Sequence, residues 1–559
     1  MAETNLSRDE QIRQDVRDLH KLGYAQQLFR EMGGFSNFAI SFSIISILTG
    51  AILLFGYGLK FAGPIINTVG WPVVSLFTLC VAASMAELAS AYPTAGGLYF
   101  WAYRLGGKTW AWATAWLNMI GQITITAGIN VAASIYIVGA VTRIFALPAD
   151  QAVPLFGTTT NWYFYVFVMV VIMIPQIMIN AFGIKLTSKL NDFSVYWHIG
   201  GVVVMALLLT VFGQHHNSLA FLFSDGTIVS PLDASSADLG SGTAVPALVF
   251  GNFKFESPLF GLFPGLVKLY GSAPFALVFV LALLQAQWTY TGYDASAHVA
   301  EETVMARKNS AWGVFLSVAV SAVVGYVMLV ILTWTIPNGD VASTANDPYP
   351  VLYIVYNNLS TFFANVIAVI IGVAMWLCGL ASITSMARMW YAFARDDGMP
   401  GSRFIKRVSP TYRTPIWSIV ITSILAVLLC VYAAAYFVVT SISVITLYLA
   451  YMFPVYLNWR NKRRGKGEFT TRETAPWSLG KWGPLINVVC IVWCVFLAII
   501  FSLPPNELVL WSMLGLAVLL VVYWQAYAKR RFQGPTKADE TALRTLEEKV
   551  GETRGAGAA

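Results

Sequence analysis

Charge is scarce in this sequence. Lys, Arg, Asp and Glu make up 11% of its 559 residues, against 57% hydrophobic residues, and the mean hydropathy is +0.65. A soluble globular chain carries about 25% charged residues, so that class is excluded and a polytopic membrane protein is implied. Cysteine is scarce too. Cys80, Cys378, Cys430, Cys490 and Cys494 are odd in number, fall in apolar segments, and match neither a disulfide framework nor a zinc site. The five histidines are scattered apart from the adjacent pair His215 and His216, so neither a metal centre nor a catalytic cluster is expected. An enzyme is therefore not expected, and neither is a cofactor. The full Gly-x-x-x-x-Gly-Lys-Ser/Thr pattern of a phosphate-binding loop is missing, which argues against ATP drive. The first thirty-odd residues are polar and mixed in charge, so a cleavable signal peptide is not expected there.

What the chain does have is long apolar sequence. A spanning helix needs about twenty such residues, and twelve stretches qualify, near 36–60, 71–92, 111–142, 163–182, 193–213, 273–297, 312–335, 362–394, 415–433, 437–457, 485–503 and 507–528. The third and eighth exceed a bilayer's thickness and should tilt or project. An even number of spans puts both termini on one side, and 31 of the 35 Lys and Arg residues then fall on that side. Lys60, Arg143, Lys254 and Lys268 remain opposite. That asymmetry predicts cytoplasmic termini, and it makes the net charge of +7 a topology signal rather than a nucleic-acid one. The expected organisation is an N-terminal tail over 1–34, a twelve-span membrane domain over 35–528 and a C-terminal tail over 529–559. A large outer loop, 214–272, would cover the external face. Residues 8–31 have helical apolar spacing at Ile12, Val16 and Leu19, as in a short surface helix, and 534–559 reads as a frayed tail.

Two spans are interrupted. The first carries Ser46, Thr49 and Gly50 in the middle of an apolar helix. The sixth turns polar early, through Trp288-Thr289-Tyr290-Thr291-Gly292-Tyr293-Asp294. A glycine beside a hydroxyl lowers the cost of unwinding, because side chains can satisfy the freed amides. Interruptions at matching places of two halves point to an inverted-repeat transporter with a midplane site, although close packing through small residues leaves the same mark. Asn118 and Gln122 lie four residues apart on one face of the third span, either lining the site or bonding between helices. Asp294 either holds an ammonium group or pairs structurally, since a buried carboxylate is costly unpaired. Glu87, late in the second span, suits a structural or gating contact.

Three motifs carry a resemblance. Ala86-Glu87-Leu88-Ala89-Ser90-Ala91-Tyr92-Pro93-Thr94-Ala95-Gly96-Gly97 resembles the signature between the second and third spans of amino acid permeases. Ser385 to Pro400 is similar to their pattern closing the eighth span, and Trp288 to Asp294 followed by Glu301-Glu302 to their sixth-span motif. These permeases belong to the amino acid–polyamine–organocation superfamily. The resemblance, strongest to its amino acid/choline branch, covers about residues 20–530. It implies an all-α integral membrane protein of twelve transmembrane helices in the five-plus-five inverted-repeat fold. Its first and sixth spans would be unwound, and alternating access would carry an amino acid or small amine across the plasma membrane. A 4-aminobutyrate-like substrate is favoured, with choline or a polyamine as the alternative. A non-transporting nutrient receptor on the same scaffold is the competing class.

The resemblance also distributes the site. Ser46, Thr49, Gly50 and Ala51 would surround a substrate's carboxylate; Gln122, singled out by its helical face rather than by the resemblance, is the third-span candidate for the same site. Trp288, Thr289, Tyr290, Thr291 and Gly292 would form the gate and side-chain pocket, where Trp288 or Tyr290 acts as a lid or as packing. In proton-coupled relatives a lysine near the start of the fifth span stands where others hold sodium. His198 takes that place here, as a proton-exchanging group or as a plain interhelical hydrogen-bonding residue. Ser382 and Ser385 would face it. The expected partners are a small-molecule substrate, H+ and the lipid bilayer.

Overall fold

The computed structural model describes residues 7–146, 162–225, 247–250, 253–256, 259, 262, 265–266, 275–431, 435–504, 506–535 and 543. Most of the expected outer cover and of the frayed C-terminal tail lies outside the described residues. Among the described residues, ten helices are long and apolar enough to cross a membrane. Two shorter apolar helices, Phe275–Thr289 and Ile416–Leu429, fall on the sixth and ninth of the twelve apolar stretches.

In chain order the helices are α1 (Arg8–Lys21), α2 (Gly34–Ile45), α3 (Gly50–Leu53), α4 (Phe55–Ala62), α5 (Trp71–Ala91), α6 (Leu98–Gly106), α7 (Lys108–Ile144), α8 (Trp162–Phe182) and α9 (Ile184–Phe212). There follow α10 (Phe275–Ala282), α11 (Leu284–Thr289), α12 (Ala295–His298), α13 (Ala306–Trp334), α14 (Val341–Asn346), α15 (Pro350–Asn358) and α16 (Thr361–Arg395). The series ends with α17 (Ser402–Ile405), α18 (Ile416–Leu429), α19 (Ala435–Arg464), α20 (Gly483–Ile500) and α21 (Glu507–Tyr523). A two-stranded antiparallel hairpin, Ala247–Phe250 on Phe253–Glu256, lies within the outer stretch. With 37 residues, α7 is about 55 Å long at the helical rise of about 1.5 Å per residue. It exceeds a bilayer's apolar thickness, as its sequence anticipates.

Burial sorts the helices into a centre and a rim. The apolar stretches of Gly34–Leu53 and Lys108–Ile144 are mostly buried inside the protein, whereas those of Trp162–Phe182 and Glu507–Arg531 are mostly not. The rim helices leave Phe167, Ile174, Leu207, Val211, Val518 and Leu519 exposed. A stripe of that kind suits lipid, because only apolar side chains are tolerated against hydrocarbon.

α1 is a helix for local reasons and docks for tertiary ones. Ser7 and Glu10 form a reciprocal capping box, with the Ser7 amide donating to Glu10 Oε2 at 2.8 Å. Leu19 and Asp15 are buried against the bundle, and Asp15 accepts the amides of Met305 at 2.7 Å and Ala306 at 3.1 Å. At the same end Phe532 is buried against Tyr99 and Phe393. The described parts of both tails thus pack on one end of the bundle, as an even number of crossings requires.

That end is held by ion pairs. Arg388 grips Glu302 with two bonds of 3.1 and 3.2 Å, both side chains being buried. Arg395 does the same to Glu301 at 2.9 and 3.0 Å. Tyr24 and Tyr99 both donate to Asp396. Arg30 donates to the carbonyls of Ala300 and Thr303. The exit of the sixth span is thereby tied to the end of α16 and to the N-terminal segment.

Candidate functional site

The two interrupted helices break where the sequence places the interruptions, and the breaks touch. α2 ends at Ile45, the next residue Ser46 takes a φ of 31° in the left-handed region, and α3 resumes at Gly50. α11 ends at Thr289, Gly292 takes φ 82°, and α12 resumes at Ala295. A side chain at Gly50 would come within 2.6 Å of Thr289 Oγ1 and 2.8 Å of its Cα, while one at Gly292 would collide with Ile44. Both glycines are therefore contact points between the broken segments. Ser41 fastens the pair, donating to the Tyr293 carbonyl at 2.7 Å and accepting the Ser296 amide at 2.8 Å.

Breaking a helix frees backbone groups. Among the described residues the amides of Ile47 and Leu48 at the first break, and of Thr291, Tyr293 and Asp294 at the second, donate to no backbone carbonyl. Between the breaks lies a cavity of about 10 Å³, lined by Ile44, Ile45, Thr49, Gly50, Ile125, Ile129, Trp288, Thr289 and Thr291. That volume admits about one water molecule. A ligand larger than that requires the walls to part.

Five of the sequence-proposed residues line the cavity: Thr49, Gly50, Trp288, Thr289 and Thr291. Trp288 is buried against Gly128 of α7, with its indole N–H unpartnered among the described residues. Gly292 and Ser46 shape the breaks themselves. Tyr290 points away, bonding Ser75 Oγ at 2.7 Å and packing its ring 4.7 Å from that of Trp71. The Ala51 carbonyl faces the Gln285 amide at 3.5 Å. Gln122 is brought to Asp294 rather than to the cavity.

Asp294 is fully buried within four donors. Its Oδ2 accepts Asn118 Nδ2 at 2.8 Å and Gln122 Nε2 at 3.0 Å, and lies 2.9 Å from His298 Nε2. Its Oδ1 accepts the Tyr451 hydroxyl at 2.9 Å. Asn118, Gln122 and Asp294 form one constellation, which joins the sixth span to α7 and α19. Tyr448 adds a bond of 2.6 Å to the Tyr290 carbonyl. The sequence reading did not single out Ile125, Ile129, Tyr448, Tyr451 or His298 as site residues. A usable signal exists for the isoleucines, because Asn118, Gln122, Ile125 and Ile129 follow i, i+4, i+7, i+11 on one face of α7. The tyrosine pair, three residues apart in an apolar span, is a weaker cue.

His198 meets the first break. Its Nε2 is 2.7 Å from Ser46 Oγ, which is 2.6 Å from Thr49 Oγ1, and its Nδ1 is 2.7 Å from the Ser194 carbonyl. Neither serine of α16 bonds to it. Ser382 donates to Gly379 within its own helix at 2.9 Å, and Ser385 Oγ is buried with no partner among the described residues. Glu87 is a structural clamp, accepting Lys462 at 2.8 Å and the Leu479 amide at 3.3 Å. No group of three or more His, Cys, Asp or Glu able to hold a metal occurs among the described residues.

The family model described as amino acid permease matches residues 32–524, nearly all of this architecture. The chain belongs to the amino acid permease family. The permease is similar to amino-acid permease BAT1 of Arabidopsis thaliana, at 30% identity over 541 residues covering 92% of this chain and 95% of the relative. It is also similar to a putative amino acid/polyamine transporter of Macrophomina phaseolina, at 28% over 84% of this chain and 93% of the relative. A GABA-specific permease of Saccharomyces cerevisiae matches at 25% over 92% and 85%. Membership places the permease in the amino acid–polyamine–organocation superfamily, as a multi-pass membrane transporter of amino acids and not an enzyme.

Proposed function

We propose that this permease is a proton-coupled secondary transporter that imports a small amino acid across the plasma membrane by alternating access. In this reading it has twelve spans in a five-plus-five inverted repeat over 35–528. Both tails are cytoplasmic, and the ion-paired end of the bundle is the inner gate. The observation that carries the proposal is the pair of broken helices meeting at a small, largely apolar cavity, with five amides at the breaks, that of the cavity-lining Thr291 among them, left without backbone acceptors. Buried amides require acceptors, and a carboxylate supplies them. Choline and polyamines bring no carboxylate, so the donors favour an amino acid. The isoleucine walls favour a short, uncharged carbon skeleton. Asp294, already held by four donors, is poorly placed to select a cationic side chain. The GABA-specific relative makes 4-aminobutyrate the first substrate to test. His198, against the first break, serves as the proton-coupling group.

The test is uptake into proteoliposomes under imposed pH or sodium gradients, with 4-aminobutyrate, α-amino acids, choline and putrescine in competition. Proton-driven accumulation of one amino acid is expected. Saturable binding without accumulation would make the protein a receptor and refute the transporter reading. Accumulation driven by sodium alone would remove His198 from the coupling.

A further inference from the structure

We propose that Ser46 and Thr49 form a hydroxyl relay that reports the protonation state of His198 to the substrate's carboxylate. The proposal rests on the reading of His198 as the coupling group and adds how that group is felt in the cavity. A backbone carbonyl only accepts, so the 2.7 Å contact with the Ser194 carbonyl places a hydrogen on Nδ1 of His198. In the neutral ring Nε2 is then an acceptor, and Ser46 Oγ, 2.7 Å away, donates to it. Having spent its hydrogen, Ser46 accepts from Thr49 Oγ1 at 2.6 Å. Thr49 also lines the cavity. With its hydrogen turned toward Ser46, Thr49 presents only lone pairs to anything bound there, which repels a carboxylate.

One added proton reverses the chain. A proton arriving from bulk water on the open side binds Nε2, and the imidazolium N–H now donates to Ser46 Oγ. Ser46 turns its hydrogen to Thr49, and Thr49 turns its own into the cavity. No O–H bond breaks: two hydroxyls rotate about their C–O bonds, and the one charge gained stays on the ring. Loaded with a proton, the site offers a carboxylate a donor from Thr49; unloaded, it withholds it. Proton and substrate thereby favour each other's binding, as symport requires, and by the same factor in both directions.

The surroundings leave His198 as the group that titrates in this chain of bonds. On its own helix α9, Ser194 contributes its carbonyl and a hydroxyl at 3.2 Å, and Asp192 is turned to Ser36 at 3.0 Å. From α2, the Phe42 ring stands nearly perpendicular to the imidazole, with 6.0 Å between ring centroids, and α13 contributes the apolar Val320 to the cluster that Phe42 forms with Val195 of α9. From α16, Cys378 donates to the Ile44 carbonyl at 3.3 Å beside the same two hydroxyls. No ion pair to His198 occurs among the described residues.

The experiment measures the apparent KM, from pH 5.5 to 8, of the amino acid that the wild type accumulates most strongly in the panel above. Counterflow at fixed membrane potential is the readout. In the wild type KM should rise at least tenfold across the range. Thr49→Val, equal in size but without the hydroxyl, and Ser46→Ala should flatten that rise to within about twofold, whereas Thr49→Ser should retain it. A wild-type slope in Thr49→Val and Ser46→Ala, with a flat one in His198→Gln, overturns the relay and leaves the coupling standing. A wild-type slope in His198→Gln overturns the coupling itself, and the relay with it. Should Ser46→Ala fail to fold, the contrast between Thr49→Val and Thr49→Ser decides the matter alone.

Discussion

Replacing Gly292 by alanine tests the reading of the sixth-span break most directly. Its φ of 82° is a region that a β-carbon makes unfavourable, at a cost of about 1–2 kcal/mol. The new methyl would also be driven into Ile44, in the last turn of α2 just before the first break. Overpacking of a tight interior costs about 1–3 kcal/mol. The two penalties act in the same direction, for a loss of about 2–5 kcal/mol. Gly200 is the matched control. It sits in α9 with nothing within 4 Å of a would-be β-carbon, so its alanine variant should gain up to about 1 kcal/mol from helix propensity. Thermal unfolding in mild detergent, followed by tryptophan fluorescence, reads both, and proteoliposome uptake shows whether the damage reaches transport. Gly292→Ala should melt well below the wild type and lose substrate affinity, while Gly200→Ala melts at or above it. Equal melting of both variants would refute the claim that the two breaks are held in contact through Gly292.

Removing the Asp294 acceptor by Asp294→Ala leaves four buried donors unpaired at about 1–3 kcal/mol each, so loss of folded protein on size-exclusion chromatography is expected; a well-folded variant would contradict the cage. Glu302→Gln leaves the Arg388 guanidinium buried without its counter-charge, which should cost about 3–5 kcal/mol and lower the melting temperature, while a surface pair such as Lys406–Asp397 should tolerate Asp397→Asn with no measurable change. Burial lifts the Asp15 carboxyl above its usual range, with Arg30 and the Met305 and Ala306 amides pulling the other way. Docked α1 therefore holds that proton more tightly than free α1, and its docking should weaken as pH rises from the ordinary carboxylate value through the raised one. Proteolytic nicking of residues 8–21 should increase over that interval, and Asp15→Asn should abolish the dependence.

Much of this architecture is legible in the sequence because membrane solvation imposes a simple rule on each helix. The positions of all twelve apolar stretches correspond to helices, and the two breaks announce themselves as hydroxyl-glycine pairs. The sixth and ninth helices come out shorter than the stretches that contain them, the sixth because its helix stops at Thr289 while its apolar and small residues run on. Side-chain partners were harder to read. From its face of α7, Gln122 reads equally as a pocket residue or as an interhelical bond, and the structure turns it to Asp294, four residues along the chain from His298. Nothing local predicts that meeting, since it depends on how α7, α19 and the sixth span cross. Tyr290 illustrates the same limit. A lid and a packing residue have the same sequence signature, and only its bond to Ser75 distinguishes them.

The face of α7 that carries Asn118, Gln122, Ile125 and Ile129 has a practical consequence. Its first two members lock the helix register through Asp294, and its last two form the cavity wall a turn or two further along. Anchor and wall are therefore separable. If the cavity is the substrate site proposed above, trimming Ile125 or Ile129 to valine or alanine changes the room offered there without touching a bond that fixes the helix. The selectivity of such a carrier can drift, or be redesigned, on a scaffold that stays in place.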